Sequence, residues 1–344
     1  MRRLGLSTRR RRLVAVVIGV VVVCGTAVGV ALGRGGGPSQ ASATPTPVPG
    51  ATSSPSRAAT PSPTGASPAG PHVLVIMEEN SSYEEIIGSP SAPYINSLAR
   101  RYASATQWYS LKHGSIQNYL AATSGQIPPT AVINNECTPG QGLCTTSAPN
   151  LADQLEARGL TWKSYQEDMP VPCFRAYSAA HYVARHNPFI YYSQIRDNPV
   201  RCNRIVPFTQ FAADLAANAV PNFAWVTPNL CNDMHNACPG GRVENGDTWL
   251  AQQLGPILAS AWFQQGGEVV ITWDESEDID ASGCCAGARG GHIATLVLSG
   301  RSTGVTWSHP GDHFGLLRGL EGVFGVPFIG AAAARIHGDL GALL

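Results

Sequence analysis

The chain is 344 residues long, 44% hydrophobic and 13% charged, which leaves room for one large domain with a real core plus extensions. The formal net charge is zero, but eight arginines and no acid fall in residues 1–70, so residues 71–344 hold 15 basic against 23 acidic groups. An acidic domain of that kind is excluded as a nucleic-acid binder, because such binding rests on cations that neutralise phosphates.

The N-terminal arginines point to a membrane instead. Arg9, Arg10, Arg11 and Arg12 precede twenty uncharged, valine-rich residues from Leu13 to Leu32. As a helix rising about 1.5 Å per residue, that run matches the hydrocarbon thickness of a bilayer. The arginines assign residues 1–12 to the cytoplasmic side. The run exceeds a usual signal-peptide core and no Ala-x-Ala site follows, so an uncleaved signal-anchor is favoured over a cleaved signal peptide. Residues 33–70 are mostly Gly, Pro, Ser, Thr and Ala, with no aromatic residue. Such a segment cannot offset its own ordering entropy and reads as a disordered linker. The domain 71–344 is therefore expected outside the cytoplasm, held at the cell membrane by the N-terminal helix, or secreted if that helix is cleaved. Its eight cysteines, with no Cys-x2-Cys pair, favour disulfides over a zinc cluster. Local pairing is expected for Cys137–Cys144, Cys173–Cys202 and Cys231–Cys238, while the adjacent Cys284 and Cys285 have no assignment.

From residue 71 strands alternate with helices. His72 to Met77 is a short continuous apolar run, the mark of a strand buried on both faces. Helical spacing follows at 91–103 and 116–123, then at 151–158, with a strand at 160–165. A helix at 208–217 leads to the strand 223–226. A long helix at 248–263 leads to the strand 268–273. The strand 293–298 precedes a last helix at 313–324. This alternation implies an α/β fold with a mainly parallel central sheet and helices on both faces. Its ligand site belongs beyond the carboxyl ends of the strands.

Acids and amides gather at those ends. Glu78-Glu79-Asn80 follows the first strand, Asn229 to His235 follows the strand 223–226, and Asp274-Glu275 follows the strand 268–273. One such cluster is ordinary turn chemistry. Several at one edge supply hard oxygen ligands for a divalent cation. Ser115 adds a hydroxyl at a helix start, where unpaired N–H groups and the dipole favour an anion. It is either an N-cap or a nucleophile.

In this order the blocks resemble the bacterial phosphoesterases that group phospholipase C with acid phosphatases, within the alkaline-phosphatase-like superfamily. The likeness runs over most of residues 72–331. It rests on Glu78-Glu79-Asn80-Ser81-Ser82-Tyr83, on His113 to Leu120 with Thr123-Ser124-Gly125, on Pro228-Asn229-Leu230-x-x-Asp233-Met234-His235, and on Thr272-Trp273-Asp274-Glu275, with a closing block at His313 to Glu321. Arg185-His186-Asn187-Pro188-Phe189 fits the shorter, exported acid-phosphatase branch. The resemblance implies a three-layer sandwich and one divalent metal ion of unnamed identity, held by Glu79, Asn80, Asp274 and Glu275 with the Ser115 oxygen. It also implies that Ser115 is a nucleophile forming a phosphoserine. His113, His186 and His235 would contact the phosphoryl group, with His235 or His186 protonating the leaving alcohol. The family commonly has Pro where Gly114 and Gln117 stand.

The reading is an extracytoplasmic metal-dependent phosphomonoesterase acting on a small phosphate ester or a lipid head group. A phospholipase C-type phosphodiesterase and a non-catalytic envelope binding protein are the alternatives. A sulfatase would need Cys or Ser followed by x-Pro-x-Arg at the nucleophile, and no such stretch lies there. Glu78 is expected to face away from Glu79, since neighbours on a strand point to opposite sides. His313 would cap or pack in the last helix, or approach the site. The oligomeric state is not set by the sequence.

Overall fold

A computed structural model describes residues 69–344 apart from Asp278. The basic segment 1–12, the span 13–32 and nearly all of the linker lie outside the described residues. Among the described residues no helix is long and apolar enough to cross a membrane.

Eleven strands occur in chain order: β1 Val73–Glu78, β2 Ala103–Tyr109, β3 Trp162–Gln166, β4 Ser178–Ala179, β5 Tyr182–Val183, β6 Ile205–Pro207, β7 Phe223–Thr227, β8 Glu268–Trp273, β9 His292–Leu298, β10 Thr306–Trp307 and β11 Gly311–Asp312. Nine of them form one sheet in the order β10-β2-β9-β8-β1-β7-β3-β6, with β11 also paired to β2, while β4 and β5 make a small hairpin. The pairs β8–β1, β1–β7, β7–β3 and β3–β6 are parallel, and β9 runs antiparallel between β8 and β2. The sheet is thus mixed but mostly parallel, as the alternation implied. Every residue of β1, β7 and β8 is buried, so both sheet faces are covered there.

Periodicity missed the short strands β4, β5, β6, β10 and β11, and β2 is the longest of the strands it missed. Its sequence ASATQWY lacks a continuous apolar run, and its burial comes from pairing with β9, β10 and β11. The helix expected at 248–263 starts earlier, as Arg242–Ala259, with a separate turn Ala261–Gln264. Gly246 lies in that first turn because a Cβ there would sit 2.4 Å from the Met234 side chain and 3.1 Å from the Asn232 carbonyl. A residue that reads as a helix breaker is therefore required by close approach to the loop after β7. The other helices sit close to expectation: Pro93–Arg101, Ser115–Ser124, Leu151–Ala157, Thr209–Ala216 and His313–Phe324.

The three local disulfides expected from spacing are present, and the fourth joins the neighbours Cys284 and Cys285.

Candidate functional site

The carboxyl ends of β1, β7 and β8 lie side by side, because those strands are adjacent and parallel. Glu79, Asp233, Asp274 and Glu275 leave those ends and are all buried. Backbone bonds fix the convergence: Glu79 N–H donates to the Asp233 carbonyl at 2.8 Å, and Asp274 N–H to the Glu78 carbonyl at 2.9 Å. Asn80 takes the left-handed conformation (φ 46°), which asparagine tolerates, and its N–H donates to Asp274 Oδ1 at 3.3 Å. Met234 takes φ 73°, a strained state for a long side chain, and so turns the chain between Asp233 and His235. His235 N–H donates back to Asp233 Oδ1 at 2.8 Å.

Ser115 opens the helix Ser115–Ser124, all ten residues of which are buried. Its hydroxyl donates to Glu79 Oε2 at 3.2 Å. The other Glu79 oxygen accepts from the Tyr119 hydroxyl at 2.7 Å and lies 3.2 Å from His186 Nε2. Tyr119, one helical turn beyond Ser115, thus meets the same carboxylate. His186 Nδ1 pairs with Asp233 Oδ2 at 3.1 Å, so an acid orients that ring.

The turn before the nucleophile is tied to Glu275. Glu275 Oε2 accepts from Gly114 N–H at 2.7 Å and contacts His113 Nδ1 at 3.1 Å, while His113 Nε2 bonds the Asp280 carbonyl at 2.9 Å. Gly114 has φ 121°. A proline, fixed near −65° and lacking an N–H, could supply neither the turn nor this bond. The departure from the family's usual Pro at this position is thus built into how the chain holds Glu275. Gln117, at the second departure, donates to the Ile133 carbonyl at 2.6 Å and so anchors the following loop.

The electrostatics follow from burying like charges. Glu79 is pushed well above the ordinary carboxylate range, first by burial and then by Asp274 and Asp233. Asp233 and Asp274 are likewise raised, chiefly by burial. Desolvation lowers His186 strongly, with Arg185 and His235 adding to it, and desolvation also lowers His235. Asp274 Oδ2 is buried with no hydrogen-bond partner among the described residues. A ring of desolvated carboxylates with an unspent oxygen fits a hard divalent cation, which would return all of them to the ionised state. A tighter triangle of Glu79, His186 and His235 atoms, within 4.8 Å of one another, also reaches metal-binding separation.

The structure brings Ser115, Glu79, His186, Asp274 and Asn80 into direct or one-residue contact, and sets His235 beside them. His113 sits in the turn that carries Ser115, and Glu275, beyond the end of β8, braces that turn. Two participants had no role assigned from sequence, and His313, expected either in the cap or near the site, takes the second of those places. Asp233 and Tyr119 lay inside the quoted blocks without a role, and their signal was proximity in sequence to His235 and Ser115. His313 bonds the Asp274 carbonyl through Nε2 at 2.7 Å, and the last helix is capped instead by Asp312. Burial pushes His313 down to about 4, so it is a neutral support for Asp274. Glu78 makes none of the Glu79 contacts. Both of its oxygens are buried without a partner among the described residues, and burial raises its pKa well above the ordinary range.

A family model described as the Phosphoesterase family matches residues 89–327. The phosphatidylinositol-3-phosphatase of Mycobacterium tuberculosis is 31% identical over 284 residues, covering 82% of this chain and 85% of that protein. A probable acid phosphatase of Kluyveromyces lactis is 26% identical over 78% of this chain and 61% of its own length. An acid phosphatase of Aspergillus fumigatus is 26% identical over 73% of this chain and 54% of its own length. The chain therefore spans only about half to three-fifths of these fungal relatives. Among solved structures, an alkaline phosphatase superfamily protein from Vibrio parahaemolyticus matches with a TM-score of 0.54 and 14% identity, covering 79% of this chain and 71% of that one. The lipoteichoic acid synthase LtaP from Listeria monocytogenes also gives 0.54, at 11% identity over 78% and 75%. At such identities the likeness is one of fold alone.

Proposed function

The chain belongs to the Phosphoesterase family and is a hydrolase of phosphoric esters, and from that premise we propose that it is a metal-dependent phosphomonoesterase working through a phosphoserine at Ser115. One observation carries the reading. The Ser115 hydroxyl, on a helix start, touches Glu79 inside a buried ring of carboxylates that holds an unspent Asp274 oxygen.

Glu79, Asn80, Asp274 and Glu275 would hold one divalent cation, with Asp233 adjoining. Such an ion supplies Lewis-acid stabilisation of the phosphoryl charge and lowers the pKa of a hydroxyl beside it. Ser115 Oγ attacks phosphorus as Glu79 accepts its hydrogen bond, and the bond from phosphorus to the leaving alcohol breaks. Of the two histidines, His186 suits the proton donor better. Asp233 on Nδ1 orients its ring, Nε2 points to Glu79 inside the site, and the charge of an arriving anionic substrate would oppose the burial that lowers its pKa. Water then cleaves the phosphoserine and releases phosphate.

The same machinery serves a soluble monoester or a phosphorylated lipid head group, and the name of the mycobacterial relative supports including inositol lipids. No inserted domain lies between Gly125 and Pro221 to hold a diester's second chain, which favours monoesters. Four disulfides and the uncharged stretch at 13–32 support a location outside the cytoplasm, at the membrane or secreted.

A substrate panel tests this directly. The full-length chain with divalent cation should turn over p-nitrophenyl phosphate and phosphatidylinositol 3-phosphate faster than bis-p-nitrophenyl phosphate or phosphatidylcholine. Acid quenching should trap phosphate on Ser115. Faster diester cleavage, or label on another residue, would overturn the proposal.

A further inference from the structure

One cation at the site has no task in the account above. Arg185 lies in the short turn Ala184–His186, directly before His186. Its guanidinium is pinned at two points: Nη1 donates to the Tyr177 hydroxyl at 2.7 Å, and Nη2 donates to His235 Nε2 at 3.1 Å. Tyr177 is itself anchored, since its hydroxyl donates to the Asn135 carbonyl at 2.7 Å. Arginine carries five N–H donors in a rigid fork, so most of them are unspent here. Nε is buried with no hydrogen-bond partner among the described residues. No carboxylate lies within ion-pair distance of this guanidinium among the described residues, although the Glu79 charge acts on it. A buried donor left unpaired costs free energy, because it has given up water and gained no partner. That cost is recovered when an anion binds.

The same contacts decide what the space between Glu79, His186 and His235 is for. Three ligand atoms there approach within 4.8 Å, as for a metal. Yet both ring nitrogens of His235 are already engaged, Nδ1 with Asn236 Oδ1 at 2.9 Å and Nε2 with Arg185. A cation at that point would displace a guanidinium bond and face the arginine's own charge. An anion meets neither objection.

We propose that Arg185 is a substrate-binding residue whose free N–H groups grip the non-bridging phosphoryl oxygens and set the preference for monoesters over diesters; this rests on the phosphomonoesterase reading. A planar fork matches two oxygens of one phosphoryl group. A monoester dianion offers three terminal oxygens and a second negative charge, whereas a diester offers two oxygens and one charge. A cation across the site from the carboxylate ring therefore favours the monoester most. Tyr177 fixes the fork through Nη1, and His235 takes one Nη2 donor until substrate competes for it.

The test uses the full-length chain with Arg185→Ala and Arg185→Lys. Rates are measured on p-nitrophenyl phosphate and bis-p-nitrophenyl phosphate, with inorganic phosphate as inhibitor. Charge-assisted bonds of this kind correspond to about tenfold to hundredfold, so Arg185→Ala should lose about that much kcat/KM on the monoester and raise the phosphate Ki similarly. The diester rate should change much less. Arg185→Lys, which keeps the charge but not the fork, should fall between, and added guanidinium ion should restore part of the Arg185→Ala activity. Equal loss on both esters with an unchanged phosphate Ki overturns the assignment. Should Arg185→Ala fail to fold, a wild-type phosphate Ki in Arg185→Lys overturns it as well. Failure of the underlying reading looks different, because the parent chain would then turn over no monoester. In that case calorimetric binding of inorganic phosphate to the parent and to Arg185→Lys still decides the role of Arg185.

Discussion

Two helices of this protein begin at the same side of the sheet and begin in opposite ways. His313–Phe324 is self-capped: the Asp312 carboxylate accepts from the N–H groups of Phe314 and Gly315 at 2.9 and 3.2 Å. Ser115–Ser124 has no side-chain cap from its own N-terminal residue, Gly114. Its start is held from far away, by Glu275 on Gly114 and by Asn135 Oδ1 on the Ile116 N–H at 3.2 Å. The first arrangement closes a helix end with local groups and serves stability. The second keeps Ser115 free of a capping role, so its hydroxyl is spent on Glu79 instead. A helix start becomes a reaction site when distant residues, rather than its own cap, satisfy it.

The largest effect that would break this comparison is on rate. Ser115→Ala should reduce kcat by about a thousandfold or more while leaving the melting temperature near that of the parent. Loss of stability with retained turnover would place Ser115 with the caps. Asp312→Ala should do the reverse, costing about 0.5–2 kcal/mol of stability with kcat per folded molecule preserved.

Next in size is the carboxylate ring. Raised folded-state values for Glu79, Asp233 and Asp274 mean that their stability contribution is complete below the ordinary carboxylate range and is lost as pH rises through the raised values. Cation-free protein should therefore melt lower at pH 7 than the Asp274→Asn variant does, and the gap should close on acidification. Saturating divalent cation should raise the parent's melting temperature at pH 7, since it adds about 2.7 kcal/mol of stability at a hundred times Kd, and should leave Asp274→Asn nearly unmoved. Equal pH slopes in calorimetry of the two would remove Asp274 from the ring.

A smaller effect tests the long-range tether. Gly114→Pro removes the N–H that reaches Glu275 and cannot adopt φ 121°, so kcat should drop about tenfold or more with only a modest loss of stability. A fully active variant would show that the turn does not depend on Glu275. The smallest concerns Asp312, which burial raises to about 6 against the opposing pull of His337. Its contribution is present below about pH 4 and lost as pH rises through about 6, so Asp312→Asn should flatten the melting-temperature profile across that window and leave the rate profile unchanged.

How much was legible follows the same division between local and distant. The last helix, the strands that begin near residues 73, 223 and 268, and the disulfides Cys137–Cys144 and Cys231–Cys238 could be placed because an apolar run, a cap or a seven-residue cysteine spacing is written within a few residues. β2 could not, because its burial depends on β9, β10 and β11, contributed by residues nearly two hundred positions later. The start of Arg242–Ala259 was obscured by Gly246, whose reason is Met234. Asp233, Tyr119 and Arg185 stood in view without roles, since nothing local says which way a side chain in a turn will point.

The sequence by itself determined the alternation of elements, the acids at the strand ends, the placement of a serine at a helix start, and through those blocks the family. Only the tertiary structure decided that Glu79 is shared by Ser115, Tyr119 and His186, that Glu275 braces the turn at Gly114, and that Arg185 rests on His235. The reason is physical: propensity and periodicity act over one or two turns, whereas a site is made by strands that become neighbours only after more than a hundred residues of chain have folded between them.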